Sequence, residues 1–576
     1  MLRSRVSTFV GQAVPPSQIQ RALALIAALT LFIGTRTAWT QALTASPKVM
    51  LALSVCYLVI IILAALALMV RTERALVVVE AFILATACAM LIGAVAVHHK
   101  PSDEGTLVAQ AARTMMGGGE IYGVAWPQLF VDQHIPITKM MDGGADFTFG
   151  YPPLDVLLTA PALLVFGFPA AASFVTALAL LVGAIGLWLL LPIGWRSGAT
   201  AVMLGFPFLP DYARLAYPAI IAMVLLIPVV VRWPTIASGD RLSRSDVLKG
   251  ICLGAACATQ QLAWFVTPFL LVGLYALRRG DGPTAKALRQ VGSFAAIGAI
   301  TWLAIDLPFI VRDAPAWAAG VLLVLTQHAI PHGQGLIDVS FYLTDGSAAL
   351  DFYAYAALLL GAGLLVATVL WVRRLGPALT VIPWLVFYLS IRSQDGYFLL
   401  MTPLWLAAAA TAPPSAFANA WQPSLRRLVP TRLATSLGDR WLLGPPGRAV
   451  LAGLLLVPAI ACAAIAATTD EPLEMDIVAT AAHGAHDQGL WRMQVDVQNT
   501  ASVALAPHFT VSTGQSITAF WHATGGPAVL APHQRATYDL TATVPAGYSP
   551  GLNAFFYLRA LTDRPMTESS TPIPIP

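Results

Sequence analysis

The chain has 576 residues, of which 57% are hydrophobic and 11% charged, and its mean hydropathy is +0.72. Soluble domains carry about a quarter charged residues, so the composition excludes a soluble globular protein and points to a polytopic membrane protein. The formal net charge of +4 is small and spread in short clusters, which argues against a nucleic-acid partner, and the five cysteines (Cys56, Cys88, Cys252, Cys257, Cys462) lie in apolar segments, where they indicate packing rather than a disulfide or zinc framework.

A spanning helix needs about 20 apolar residues. Candidates run over 22–40, 49–70, 75–97, 151–168, 170–191, 201–231, 248–262, 263–278, 290–310, 352–372, 376–391, 396–412 and 449–468, which predicts about thirteen transmembrane helices. The first run is followed by no small-residue cleavage site and is expected to stay in the membrane. Residues 201–231 are too long for one straight span and carry Pro207, Pro210 and Pro218, so a kinked or irregular stretch is expected there. Basic residues cluster as Arg3 and Arg5, Arg71 and Arg74, Arg232 to Lys249, Arg278 to Arg289, Arg373 and Arg374, and Arg426 to Arg440. All fall on one side if the helices alternate, and the positive-inside rule makes that side cytoplasmic. The N-terminus is then inside, and the loops 98–150 and 311–351 share the outer compartment with the C-terminal tail. No pair of inverted repeats is evident, which lowers the expectation of an alternating-access transporter.

After about Thr469 the periodicity changes from helical to alternating. Trp491, Met493, Val495 and Val497 share one face, as do Tyr538, Leu540, Ala542 and Val544. Such half-buried strands, separated by turn residues, predict a small all-β sandwich, and the pattern from Leu530 to Leu540 resembles an immunoglobulin-like or fibronectin-like module.

In the first outer loop, Ser102, Asp103 and Glu104 precede a stripe of Leu107, Ala111 and Met115 flanked by Val108 and Ala112. This predicts an interfacial amphipathic helix with Ser102 as its cap and the two acids in its first turn, where the helix dipole favours them. Taken alone, the acid pair reads as an ordinary helix start.

The order of elements adds more. Asp103 and Glu104 after a span, the helix ending in "GGGEIYG" with Gly119 and Tyr122, and the following "YPP" span with Tyr151, Pro152 and Pro153 resemble the first extracytoplasmic loop of the GT-C class of membrane glycosyltransferases. "LGAACATQQLAWFVTPFLLVG", with Gln260 and Gln261 where the class often has Lys-Gln, and "IRSQDGYFLLMTPLWLAAA" resemble later elements of the same class. The resemblance covers most of 75–412. It implies a polytopic all-α membrane protein of GT-C type with a C-terminal all-β domain. The chain divides into additional N-terminal helices (1–74), a catalytic membrane core (75–412), a basic cytoplasmic loop (413–448), a final span (449–468) and an extracytoplasmic β-sandwich (469–576).

The resemblance further implies a donor sugar on a polyprenyl phosphate, an extracytoplasmic glycan, glycolipid or protein acceptor, and location in the cytoplasmic membrane. Asp103 would be the general base of an inverting transfer and Glu104 its assistant or an orienter of the acceptor. The donor phosphate would meet Arg392, Arg214, His328, His332 and Lys100, and substrate contacts would come from Tyr122, Tyr151, Gln260, Gln261, Gln394 and Tyr397. Lys100 equally marks the water boundary, and Arg214 equally pairs with Asp211. Pro331 interrupts the i, i+4 spacing of His328 and His332, so ligand spacing indicates no metal site. No cofactor is expected for certain, and a divalent cation stays an open alternative. The competing readings are a transporter or flippase for a lipid-linked sugar and a ligase.

Overall fold

The computed structural model describes residues 17–423, 445–482, 489–514, 516–543 and 556–574. The expected basic clusters at Arg3 and Arg5 and at Arg426 to Arg440, with most of the loop 413–448, lie outside the described residues, as does Val544.

Among the described residues, eight helices are long and apolar enough to cross a membrane: Gln18–Ala45, Pro47–Met69, Glu73–Val97, Ala170–Leu190, Leu262–Asp281, Thr284–Arg312, Asp351–Ala378 and Ala449–Thr468. Three shorter apolar helices, Leu154–Phe166, Ala219–Val230 and Ala314–Thr326, accompany them. Leu51, Val55, Leu58, Ile62 and Leu66 of Pro47–Met69 remain exposed. That is the surface a lipid-facing helix presents, since hydrocarbon is its solvent.

Five of the thirteen expected spans, 151–168, 201–231, 248–262, 376–391 and 396–412, are not among these eight, and the first of them is the shorter helix Leu154–Phe166. Residues 201–231 break into a π-helical turn Ala201–Gly205 and the helices Phe208–Arg214 and Ala219–Val230, with Ala216 in the left-handed region at the second break. This is the irregular stretch that its prolines imply. Residues 376–391 form only 3-10 turns, Gly376–Ala378 and Ile382–Leu389, and 396–412 splits into Asp395–Leu399 and Thr402–Thr411. Pro377, Pro383 and Pro403 stand at the starts of these pieces, where a missing backbone N–H is tolerated and a continuing helix is not. The segment 248–262 is no single helix: Arg244–Cys257, which opens with a capping box in which Ser243 and Asp246 satisfy each other's backbone N–H, ends inside it, and the next helix starts at Leu262.

Glu80, buried inside the bundle, is partnered. Gln20 and Ser197 both donate to the Glu80 carboxylate, at 3.2 and 2.9 Å, tying three helices together. Such contacts satisfy a group that would otherwise be costly in an apolar medium.

The tail forms two antiparallel sheets. One has the order His522–Thr524, Arg535–Thr541, Leu490–Asn499, Leu473–Ala482, and the other Gly346–Ser347, Thr567–Pro572, Tyr557–Thr562, His508–Thr513, Ser516–Ile517. Met493, Val495 and Val497 from the first and Phe509, Val511, Leu558 and Ala560 from the second fill one shared core. Tyr538 and Leu540 are buried in it as their alternation predicts, and the Tyr538 hydroxyl donates to the Pro527 carbonyl at 2.8 Å.

One strand of this domain is borrowed. Gly346–Ser347 belongs to the loop between two membrane helices, yet it pairs with Ser569 and Glu568 at the edge of the second sheet. Around it, Met566 N–H donates to the Asp351 carboxylate at 3.1 Å, and Met141, Ile337, Phe341 and Tyr353 share a buried cluster with Ala466, Leu561 and Met566. The β-domain is thus docked on the loops 98–150 and 311–351 through an apolar core.

Candidate active site

The helix Asp103–Met116 begins where Ser102 Oγ accepts from Gly105 N–H at 3.3 Å, the cap expected of it. Leu107, Val108, Ala111 and Ala112 are buried, but against Tyr122, Tyr151, Val156, Ala160 and Ala172 rather than an open interface. The amphipathic stripe therefore packs onto the neighbouring membrane helices. Gly105 makes that close approach feasible, because a Cβ there would lie 2.4 Å from Ala216 Cβ and 2.9 Å from the Leu215 carbonyl oxygen.

This packing aims both acids into a cavity of about 410 Å³. Asp103 is held on both oxygens: Oδ1 accepts from Glu104 N–H at 2.9 Å, and Oδ2 accepts from the Thr138 hydroxyl at 3.0 Å. Burial, with the Asp103 charge next to it, pushes the Glu104 carboxyl up to about 8, against the opposing pull of a Tyr151 hydrogen bond and the Arg392 charge. Glu104 therefore keeps its proton at neutral pH. Burial and the two carboxylates raise the Tyr151 phenol well above its ordinary value, so it too is a neutral hydrogen-bonding group.

The opposite chemistry comes from two other loops. His332–Gly333 pairs in parallel with Arg392–Ser393, and this places His332 directly opposite Arg392. Gln334 N–H extends the contact to the Ser393 carbonyl at 2.8 Å. Arg392 lines the cavity, its Nε is buried without a hydrogen-bond partner, and among the described residues it joins no ion pair. Burial and the Arg392 charge lower the His332 pKa, so that imidazole is neutral at pH 7. An unpaired guanidinium in a partly desolvated cavity is unfavourable by itself, and its natural complement is an anion.

Of the residues singled out from the sequence, Asp103, Glu104, Tyr151, Gln260, His332, Arg392, Gln394 and Tyr397 line this one cavity. The others sit elsewhere. Tyr122 is buried behind the wall and donates its hydroxyl to the Tyr151 carbonyl at 2.8 Å. Gln261 ties the Gly150 and Val321 carbonyls together at 2.9 and 2.7 Å. Arg214 is engaged by Asp211 and by Gln41 Oε1 at 3.1 Å, and His328 by Asp563 at 2.6 Å. Lys100 is exposed, its ammonium 3.4 Å from the His134 carbonyl.

The sequence did not single out Thr138, Lys139, Asp146, Tyr217 or Ile517, all of which line the cavity. Thr138–Lys139 pairs with Ala145–Asp146 in a hairpin whose strands are two residues long, too short to leave a periodic signal. A lysine amid the otherwise uncharged "IPITKMM" of the loop 98–150 was the available hint. The Lys139 ammonium donates to the Ile517 carbonyl at 2.7 Å, and Ile517 belongs to the C-terminal domain. Among the described residues, no group of three or more His, Cys, Asp or Glu is placed to hold a metal ion.

No family model matches the chain, and no curated protein matches it. Among solved structures it is similar to the crystal structure of ArnT from Cupriavidus metallidurans bound to undecaprenyl phosphate, at 15% identity over 67% of this chain and 71% of that one, with a TM-score of 0.35.

Proposed function

We propose that the protein is an integral membrane glycosyltransferase that moves a sugar from a polyprenyl-phosphate donor to an acceptor hydroxyl outside the cytoplasm, with inversion. The observation that carries this reading is a single cavity holding both a fixed carboxylate, Asp103, and an unpaired guanidinium, Arg392. Glycosyl transfer from a phosphate needs these two groups together: a base for the acceptor proton and a cation for the leaving group.

In this mechanism the acceptor oxygen attacks the anomeric carbon from the face opposite the phosphate, and its proton passes to Asp103. The bond between the anomeric carbon and the phosphate oxygen breaks, and the electron pair leaves with the polyprenyl phosphate. Arg392 meets the charge that develops there, and neutral His332 and Gln394 add hydrogen bonds. Protonated Glu104 donates to a substrate oxygen and keeps the acid pair from carrying two charges next to an anionic donor. The resemblance of residues 75–412 to the GT-C class supports the same assignment. So does the placement of the cavity beside membrane helices, where a lipid-borne donor arrives laterally. The outer compartment supplies no nucleotide sugar, so the donor has to come by lipid.

The test is transfer from a labelled polyprenyl-phosphate sugar by purified protein in detergent, comparing wild type with Asp103→Asn after size exclusion and thermal melting. Transfer that falls at least a hundredfold in a well-folded variant supports the reading, a loss in the range expected for a general base. Donor binding without transfer by wild type, unchanged in Asp103→Asn, would overturn it in favour of a transporter or flippase.

A further inference from the structure

We propose that Ile517, from the C-terminal β-domain, forms the acceptor subsite of the cavity, where its side chain takes the apolar C–H face of a saccharide acceptor beside Asp103. The inference rests on the glycosyltransferase reading above and names the class of acceptor and the part of the chain that selects it.

Three connected observations carry it. Ile517 lines the same cavity as Asp103, although it is contributed by a domain on the far side of the last membrane span. Its backbone is held at both ends of the contact: it pairs with Ser512 in the sheet, and its carbonyl accepts from Lys139 at 2.7 Å. Thr138, the neighbour of Lys139, donates to Asp103 at 3.0 Å. Two consecutive residues of one hairpin therefore fix the β-domain and the candidate base relative to each other.

The base must touch the acceptor hydroxyl, so whatever lies beside Thr138 and Asp103 lies beside the acceptor. The anion-complementing pair, His332 and Arg392, comes from a different pair of loops. An isoleucine next to an ammonium is a surface suited to a sugar ring, which has an apolar C–H face and an edge of hydroxyls. Lys139 has three N–H donors and uses one on Ile517. The shared apolar cluster of Met141, Phe341, Tyr353, Leu561 and Met566 keeps the β-domain seated, so the wall is part of the resting structure.

The experiment compares wild type, Ile517→Ala and Ile517→Trp as full-length protein in detergent. The donor is a labelled polyprenyl-phosphate sugar, and the acceptors are a panel of octyl hexosides and octyl pentosides. Both substitutions leave the carbonyl that Lys139 uses, and thermal melting checks that each variant folds. The expected result is an acceptor KM about tenfold higher in Ile517→Ala, the loss of a partly buried aliphatic contact. Donor KM and kcat should stay within about twofold in that variant, and Ile517→Trp should change the ranking of acceptors. An unchanged acceptor KM in both variants, or a donor KM that rises by the same factor, overturns the inference while leaving the glycosyltransferase reading in place. Absence of transfer by wild type to any member of the panel removes the saccharide acceptor. Failure with every donor and acceptor, measured on the same preparation, removes the glycosyltransferase reading as well.

Discussion

Thr138 and Asp103 are joined by a 3.0 Å hydrogen bond from hydroxyl to carboxylate, across a stretch of chain that holds two helices, Asp103–Met116 and Pro127–Gln133. With the Glu104 N–H on the other oxygen, the bond leaves the carboxylate one orientation. Thr138→Val keeps the shape and removes the donor. A hydrogen bond to a charged group contributes about 1.5–3 kcal/mol, so transfer should fall about 10- to 100-fold, mostly in kcat, while Thr138→Ser retains most of it. Initial rates at saturating donor and acceptor check this, and equal loss in both variants would remove the positioning role.

Glu104 gives a pH signature. Its carboxyl sits at about 8 in the folded protein against an ordinary 4.5. Between those values the folded chain holds a proton that the unfolded chain has released, so stability falls as pH rises from about 4.5 to about 8. Ionisation near pH 8 also places a second negative charge beside Asp103, where the donor phosphate must bind. Transfer should therefore decline above about pH 8. Glu104→Gln should flatten both the melting temperature and the activity over this window. A variant that keeps the alkaline limb would assign that limb to another group.

Arg392 carries an opposite expectation for stability and activity. Replacing an unpaired, partly buried cation by Gln should leave the melting temperature unchanged or raise it, since no partner is orphaned. Binding of a polyprenyl phosphate should weaken about 10- to 100-fold with the charged contact gone. Arg392→Lys should recover only part, because an ammonium cannot reproduce the planar fork. Thermal shift and binding of labelled polyprenyl phosphate measure the two effects separately.

Gly346 tests how the β-domain is held. Its φ is +139°, and a Cβ would lie 2.0 Å from the Glu568 carbonyl oxygen, so Gly346→Ala both strains the backbone and pushes the borrowed strand off the sheet. A cost of about 1–3 kcal/mol is expected. Hydrogen exchange should rise along Thr567–Pro572 before it rises in the membrane helices. Uniform loosening of the whole protein would contradict a local docking joint.

The sequence exposed those parts of the molecule that repeat or that carry their chemistry in a short run. The apolar spans, the alternating strands around Val495 and Leu540, the Ser102 cap and the acids after it were readable because each rests on a local rule. The break near Pro207 and Pro218 was readable for the same reason. His332 and Arg392 were visible as candidate phosphate contacts, but their pairing was not, because two-residue strands have no period. The engagement of Arg214 by Gln41, of His328 by Asp563 and of Gln261 by the Gly150 carbonyl depends on partners far away in the chain. No local pattern distinguishes such a residue from one that faces an open cavity. The segments 376–391 and 396–412 were read as spans from apolarity alone, whereas Pro377, Pro383 and Pro403 decide their shape. Lys139 and Ile517 depend on the docking of the last domain, which the sequence pattern of neither partner encodes.

The borrowed strand Gly346–Ser347 also sets an order for biogenesis. It leaves the ribosome well before the residues that will cover its edge, and it must wait, unpaired, while the last span is made and inserted. Thr567–Pro572 is made after that span and completes the sheet. Until then Ile517 has no fixed position and Lys139 has no carbonyl to hold, so a nascent or truncated chain has its membrane helices but an unfinished cavity. Competence is in this way tied to synthesis of the strands through Thr567–Pro572: without them the helices made earlier lack one wall of the cavity.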